Sequence, residues 1–442
     1  MTIGSGTGPA DGLTALYAQW AAALGQPSGA FDANAVAPEV AKLLQAYTAL
    51  VGGGMSLPPL AGIPSGRWRA TLAPWLQAAE SAYQQWARSP AAADYVVTTA
   101  QSAMTHRKSL PTEWGQGYGA AAAARDAFGL PAEGMPRVVM WEEGAARVYQ
   151  YGESTHRSAP LFIVYAMINR PSILDLDAER SMIRGLVAGG RTVYVLEWGD
   201  PGPADQGRPL VDWVLGTVDR AVRAVAGRRA IDLMGICQGG VFALCYAALE
   251  PRRVRRLVTL VTPVDCHTPD DVLSHWIRHL DVGPMVSAQS AVSGAALATA
   301  FQALAPYRLG VGKYLDLLDH ADDPRWVQRF RRMERWVHDS PDQPAAAWCD
   351  FVQRCYQQNQ LVRGTLTLGD RAVDLGRIEA PLLNVYALDD HIVPPAASRA
   401  LAGLTRSKRY DEIAVPTGHI GIFVSQRAAG LPARIAEWLA RR

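Results

Sequence analysis

The chain has 442 residues, enough for one large α/β domain of about 250–300 residues and a further module of about one hundred. Hydrophobic residues make up 49% of the chain and charged residues 19%, a balance that excludes general disorder. The 43 Lys and Arg residues nearly balance the 41 Asp and Glu residues. The net charge of +2 therefore gives no electrostatic basis for binding nucleic acid.

The first residues and the cysteines bear on the cellular compartment. Residues 1–8 have neither the basic nor the apolar region of a secretory signal, and no run reaches the roughly 18 consecutive apolar residues of a membrane span. The five cysteines are odd in number and lack paired CxxC spacing, as is usual in a reducing cytoplasm. We expect a cytoplasmic protein without a membrane span, a disulfide framework or a metal site.

Residues 1–136 are predicted to form an all-helical N-terminal region. Apolar side chains recur at helical spacing over 13–24 and 72–86, and strand signals are nearly absent. A further helix is expected over 112–128. Residues 52–66 are dense in Gly and Pro, which predicts a flexible linker inside this region.

After Pro136 the pattern changes to strands, and a second domain is predicted over 137–442. Residues 137–141 and 147–151 flank a Glu-Glu-Gly turn and predict a β-hairpin. Short apolar runs then alternate with helix-length segments, which predicts a mostly parallel, doubly wound sheet with helices on both faces. These runs occupy residues 161–165, 192–198, 231–234, 257–261 and 382–387.

The alternation stops between about 266 and 373. This stretch is far longer than an ordinary connection between strands, so it predicts a helical cap inserted over the sheet. Within it, the apolar stretch 286–304 is interpreted as a packed cap helix, with a mobile lid as the alternative.

One short motif joins a predicted strand to a predicted helix: Gly235-Ile-Cys237-Gln-Gly239. This is the nucleophile elbow, in which glycines two positions before and after the reactive residue let strand and helix approach closely. Cys237 stands where hydrolases place Ser. The pattern predicts an α/β-hydrolase fold with Cys237 as nucleophile, and the flanking glycines disfavour the alternative of a small buried packing residue.

Two backbone amides are candidates for an oxyanion hole. The amide of Gln238 follows the nucleophile and begins the predicted helix, so it should donate to the developing negative charge. A second donor is expected from the loop 166–171, after the first parallel strand. We predict Ile168 for this role.

In this fold an acid and a histidine follow the nucleophile along the chain. Asp389 and Asp390 both end a predicted strand, and their spacing alone does not separate them. His419 lies in a Gly-bounded loop after a predicted strand over 408–415, where it could take the thiol proton. His391 is the competing histidine, interpreted as supporting the acid or its loop.

These residues resemble the polyhydroxyalkanoate synthases, especially the catalytic subunit of the short class III and class IV types. The resemblance extends from residue 137 to the C-terminus. Besides the elbow Gly-Ile-Cys-Gln-Gly-Gly it includes Asp390-His-Ile-Val-Pro394 and Gly418-His-Ile-Gly421. Further matching segments are 163–171, 174–176, 197–199, 261–265, 312–315 and 339–343.

The resemblance implies polymerisation of (R)-3-hydroxyacyl-CoA thioesters into a polyester, with coenzyme A as a leaving group and no cofactor. It assigns the acid to Asp390, the Asp directly before His-Ile-Val-Pro. By resemblance, Cys237 holds the growing chain as a thioester, His419 acts as base, and Asp390 helps to activate the 3-hydroxyl of the incoming monomer. The resemblance also implies a homodimer at the surface of polyester storage granules.

Residues 1–136 depart from the family pattern. Short catalytic subunits lack much of this region and need a separate helical partner subunit, whose C-terminal part residues 75–131 weakly resemble. One hypothesis is that the chain carries its activator fused to its catalytic domain. The other is an unrelated helical extension used for dimerisation or granule contact.

Other functions fit parts of the same pattern. A cysteine-nucleophile hydrolase, such as a thioesterase, a dienelactone-hydrolase-like enzyme or a polyester depolymerase, would share the nucleophile, acid and base. A non-enzymatic granule-coating protein would leave these residues unexplained. The basic clusters 252–256 and 329–335 are interpreted as solvated faces, with binding of coenzyme A phosphates as the alternative.

Overall fold

The structure is a computed structural model. It describes residues 77, 80–81, 83–94, 134–153, 159–283, 291–305, 307–320 and 322–441. The linker predicted over 52–66 and the helix predicted over 112–128 lie outside these residues, and the domain division after residue 136 stays a prediction.

The described residues belong to two compact units. The smaller unit includes described parts of Met1–Ser89 and the segment Ala305–Arg331. Within it, the Arg308 amide donates a hydrogen bond to Glu80 Oε2 at 3.1 Å. The larger unit includes described parts of Leu130–Leu304 together with Arg332–Arg442.

An eight-stranded sheet forms the centre of the larger unit, in the order β1-β2-β4-β3-β5-β6-β11-β12. Its strands are β1 (Arg137–Glu143), β2 (Ala146–Tyr151), β3 (Leu161–Val164), β4 (Val193–Glu197), β5 (Ile231–Ile236), β6 (Val254–Leu260), β11 (Leu382–Ala387) and β12 (Tyr410–Val415). The pairs β1/β2 and β2/β4 are antiparallel, and every other neighbouring pair is parallel. The predicted hairpin and the mostly parallel sheet are thus confirmed.

The sequence pattern of each strand follows from its place in the sheet. All residues of β3, β5 and β11 are buried, because these central strands have helices on both faces. Their side chains are mostly apolar, and the exceptions Asp232 and Asn384 have buried polar partners. At the edge of the sheet, β12 instead alternates near its end between buried and exposed positions. A mostly apolar run that is buried at every position therefore marks a central strand here.

Strand β6 begins earlier than predicted, at Val254 rather than at residue 257. Arg255 and Arg256 belong to the basic cluster 252–256, which is interpreted from the sequence as a solvated face. Arg255 instead pairs with the fully buried Asp232 on β5, at 2.8 Å from Nε to Oδ1, and Arg191 contacts the same carboxylate. An ion pair to a neighbouring strand thus allows charged residues within the sheet.

Helices cover both faces of this sheet. The helices Met182–Ala188 and Leu431–Ala440 pack closely, since a side chain added at Gly185 would overlap Pro432. The helix Gln238–Leu249 is buried along its whole length. The other helices of the sheet layers are Asp219–Ala226, Pro395–Arg399 and Gly421–Val424.

A mainly helical insertion separates β6 from β11, as predicted. In the described residues its α-helices include Val272–Ile277, Gly294–Ala303, Lys313–Asp319, Pro324–His338 and Ala345–Phe351. It also contains two π-helical segments, Tyr307–Gly312 and Val352–Gln357, and two small sheets, β7 (Ala291–Val292) with β8 (Gln343–Pro344) and β9 (Thr367–Leu368) with β10 (Arg371–Ala372). Across the part of the chain that the structure describes, no helix is long and apolar enough to cross a bilayer.

Candidate active site

Cys237 occupies the sharp turn between β5 and the helix Gln238–Leu249. Its backbone has φ 54° and ψ −123°, a left-handed conformation that is uncommon for a residue other than glycine. The Cys237 amide donates to the carbonyl of Leu260 at 2.9 Å, and its own carbonyl accepts from the Gly240 amide at 2.9 Å. Backbone bonds therefore hold the strained turn on both sides, while the thiol-bearing residue is only half-buried.

The glycines around Cys237 permit this turn. A Cβ at Gly235 would lie 2.6 Å from Ala243 Cβ, closer than real side chains approach. At Gly239 an added Cβ would overlap the carbonyl oxygen of Val164 and lie 2.7 Å from Tyr165. Strand and helix can approach here only because both positions lack a side chain.

His419 and Asp390 form a buried pair. His419 Nδ1 lies 2.7 Å from Asp390 Oδ2. The other carboxylate oxygen, Oδ1, accepts hydrogen bonds from the amides of Ile392 at 2.9 Å and Val393 at 2.8 Å. Both carboxylate oxygens of Asp390 are thus engaged by the protein, and its side chain is 0% exposed.

The structure separates the residues that sequence spacing left undecided. Asp389 is exposed, whereas Asp390 is buried against His419. His391 follows Asp390 and is half-buried, and the hydrogen bond to the carboxylate comes from His419 instead. The candidate acid and base are therefore Asp390 and His419.

The Cys237 thiol lies near enough to the buried His419 ring to interact with it electrostatically. Because Nδ1 faces Asp390, the nitrogen available to the thiol is Nε2. Burial by itself lowers the pKa of His419, but Asp390 and Cys237 outweigh it and raise this pKa to about 10. The structure thus places Cys237 near the hydrogen-bonded pair of His419 and Asp390.

His419 should stabilise the folded protein most strongly below its ordinary pKa of 6.5 and lose this contribution as the pH rises to about 10. The reason is that a folded-state pKa above the unfolded value means tighter proton binding in the folded protein. Urea unfolding of wild type and His419→Gln across this range measures the effect, with the exposed His279→Gln as control. A stability advantage of wild type that grows with pH would contradict it.

The loop after β3 lies against the elbow. The Met167 amide donates to Gln238 Oε1 at 2.9 Å, so this amide is already used. Among the described residues, the next amide along, that of Ile168, donates no hydrogen bond. The Gln238 amide begins its helix and has no partner within it. The amides of Gln238 and Ile168 are therefore both available as donors.

Two tyrosines near the thiol were not identified from the sequence. Tyr165 and Tyr356 are buried and lie within electrostatic range of Cys237. Burial raises the pKa of both phenols well above the ordinary value, so both hydroxyls keep their protons and can donate. The position of Tyr165 directly after β3 could have indicated it, whereas Tyr356 belongs to the distant cap segment Val352–Gln357.

The basic cluster 252–256 is far from this site in the sheet. It lies at the amino end of β6, whereas Cys237 follows the carboxyl end of the parallel strand β5. Arg255 is paired with Asp232, and Arg253 donates to the Gly227 carbonyl at 2.6 Å. These contacts favour a structural role over binding of phosphates. The cluster 329–335 lies on the helix Pro324–His338, and its role stays a hypothesis.

The described residues also bear on metal binding. His275 and His279 are four residues apart in sequence, with ring centroids 5.4 Å apart in an edge-on arrangement. In the described ranges, no group of three or more His, Cys, Asp or Glu side chains is arranged to hold a metal ion.

The sequence also matches a family model and several known proteins. Residues 160–426 match the family model of the alpha/beta hydrolase fold. The chain is 44% identical over 315 residues to the poly(3-hydroxyalkanoate) polymerase subunit PhaC of Allochromatium vinosum, covering 70% of this chain and 89% of that protein. The proteins of the same name from Thiocystis violacea and Synechocystis are 40% and 38% identical, each over 70% of this chain, covering 88% and 85% of their own lengths.

Proposed function

Because this chain belongs to the poly(3-hydroxyalkanoate) polymerase family of α/β-hydrolase proteins, we propose that it polymerises (R)-3-hydroxyacyl groups from coenzyme A thioesters. The observation that carries the proposal is the half-buried Cys237 at the elbow, near the buried His419–Asp390 pair. This arrangement supports acyl transfer through a covalent intermediate on sulfur.

In the first step, the Cys237 thiolate attacks the thioester carbonyl of the substrate. The amides of Gln238 and Ile168 stabilise the oxyanion that forms. The bond from the carbonyl carbon to the coenzyme A sulfur then breaks, and His419 gives its proton to the leaving thiolate. The products are a Cys237 acyl thioester, neutral His419 and free coenzyme A, so atoms and charges balance.

Acylation changes the proton affinity of His419. In the free enzyme, Cys237 contributes to the raised pKa of this ring. An acylated sulfur carries no charge, so this contribution is lost and His419 binds a proton less tightly. The same ring that delivers a proton in the first step therefore becomes the base for the second.

In the second step, the 3-hydroxyl of another hydroxyacyl unit attacks the Cys237 thioester. His419 takes the hydroxyl proton, an ester bond forms, and the bond to Cys237 sulfur breaks, which restores the thiolate. A cysteine suits this step, because exchange between two thioesters is nearly balanced and leaves the acyl group activated for attack by a hydroxyl. A serine ester would lose that activation.

The contacts of Asp390 favour an indirect role in this step. The family resemblance implies that the acid helps to activate the 3-hydroxyl. Here both carboxylate oxygens are occupied by His419 and by backbone amides, and the side chain has no exposed surface. Asp390 is thus proposed to act on the hydroxyl through His419, by orienting the ring and stabilising its charged form.

One assay tests the proposed function. The purified chain is supplied with (R)-3-hydroxybutyryl-CoA, and both free coenzyme A and turbidity are followed. A polymerase gives both signals, a thioesterase or other cysteine hydrolase releases coenzyme A alone, and a granule-coating protein gives neither. Turnover by the chain alone supports the hypothesis of a fused activator in residues 1–136, and full dependence on an added helical subunit refutes it.

The assembly of the protein is also proposed from the family. We expect a homodimer at the surface of polyester storage granules in the cytoplasm. Size-exclusion chromatography with light scattering and sedimentation with newly formed polymer measure these two properties.

A further inference from the structure

One segment of the cap, residues 336–343, contacts the loop 166–170 that carries the candidate oxyanion donor. This contact involves side chains from both segments. Its hydrogen bonds run from Ser340 Oγ to Asn169 Oδ1 at 2.6 Å, from Trp336 Nε1 to the Arg170 carbonyl at 2.8 Å, from Gln343 Nε2 to the Met167 carbonyl at 3.0 Å, and from Arg170 Nε to Asp339 Oδ1 at 3.4 Å.

Within this contact, Met167 is held from both sides. Its amide donates to Gln238 Oε1 of the elbow at 2.9 Å, and its carbonyl accepts from Gln343 Nε2 of the cap. The Gln343 side-chain amide also donates to the Pro341 carbonyl at 2.9 Å, which fixes it within the cap segment. Gln343 is 1% exposed, so water does not compete for these bonds.

The planar peptide bond couples the direction of the Met167 carbonyl to that of the Ile168 amide. The carbonyl of Met167 and the amide of Ile168 belong to one planar peptide unit, and the described chain contains no cis bonds. In a trans peptide the C=O and N–H point in opposite directions. A side chain that holds the Met167 carbonyl therefore also sets the direction of the Ile168 N–H.

We propose that Gln343 is a positioning residue for the oxyanion hole. By holding the Met167 carbonyl from the cap, it orients the Ile168 amide as the second donor and makes this donor depend on docking of the cap segment. The inference rests on the proposed function, because it assigns Ile168 a role in that reaction.

The variant Gln343→Leu tests the proposal, because it removes both donated hydrogen bonds at similar side-chain size. We expect kcat to fall about 10- to 100-fold, less than the roughly 10²- to 10³-fold loss on deleting an oxyanion donor. KM should change by less than about threefold, since ground-state binding is not affected. Alkylation of Cys237 by iodoacetamide should keep its wild-type rate, because that reaction develops no oxyanion.

A matched control is Gln357→Leu. The Gln357 side-chain amide likewise donates to two carbonyls, those of Ile277 at 2.9 Å and Leu280 at 2.6 Å, but both acceptors lie inside the cap. Its kcat should stay within about twofold of wild type. If Gln343→Leu does not fold, the shorter Gln343→Asn, which keeps the amide but reaches less far, should show the same selective fall in kcat.

The possible results distinguish failure of the positioning role of Gln343 from failure of the proposed function. An active wild type with an unchanged kcat in the folded Gln343 variant overturns the positioning role alone. Equal losses in turnover and in Cys237 alkylation also overturn it, because they indicate general damage to the site. A wild-type chain that releases no coenzyme A overturns the proposed function and this inference with it.

Discussion

Replacing Cys237 by alanine should lower the release of coenzyme A by on the order of 10⁴- to 10⁶-fold, as removal of a nucleophile does in other acyl-transfer enzymes. The variant keeps the Cβ and removes only the sulfur, so the strained turn at φ 54° stays compatible with the residue. His419, Asp390 and the two amides also stay in place. The loss would therefore report the missing acyl acceptor and not a misfolded elbow.

Intact-protein mass spectrometry adds a second readout to this experiment. After mixing with excess thioester, wild type should gain the mass of at least one hydroxyacyl group, and Cys237→Ala should gain none. The control is Cys349→Ala, which removes another half-buried thiol, in the cap helix Ala345–Phe351. Comparable turnover by wild type and Cys237→Ala would show that the acyl group is not carried on this sulfur.

The variant Asp390→Asn should lower kcat by about 10⁴-fold while the protein stays folded. Its Oδ1 can still accept from the amides of Ile392 and Val393, but an NH₂ group then faces His419 Nδ1. Nδ1 must accept from that NH₂ and give up its proton, which leaves the proton on Nε2, the nitrogen toward Cys237. The ring can then no longer take a proton from the thiol or from a hydroxyl.

The adjacent residue provides the control for this variant. Asp389→Asn removes a carboxylate one position away that is exposed, so its kcat should stay within about threefold of wild type. Steady-state kinetics with (R)-3-hydroxybutyryl-CoA and circular dichroism measure activity and folding for both variants. A larger loss in Asp389→Asn than in Asp390→Asn would reverse the assignment of the acid.

The sequence by itself determined the central strands, apart from the start of β6, and the elbow. Strands such as β11 were predicted because a central strand with helices on both faces is apolar at most positions. The elbow was predicted because its constraint is local: Gly235 and Gly239 lie within two residues of Cys237, where any side chain would collide. Structural features that depend on a few consecutive residues can therefore be predicted from the sequence.

Only the tertiary structure decided which polar side chains meet. Asp389 and Asp390 are equivalent in spacing, and the path of the loop turns one to the surface and the other toward His419. Gln343 contacts Met167 across 176 positions of sequence. No local periodicity encodes such a contact, because it depends on how the cap chain returns over the sheet and not on the residues beside it.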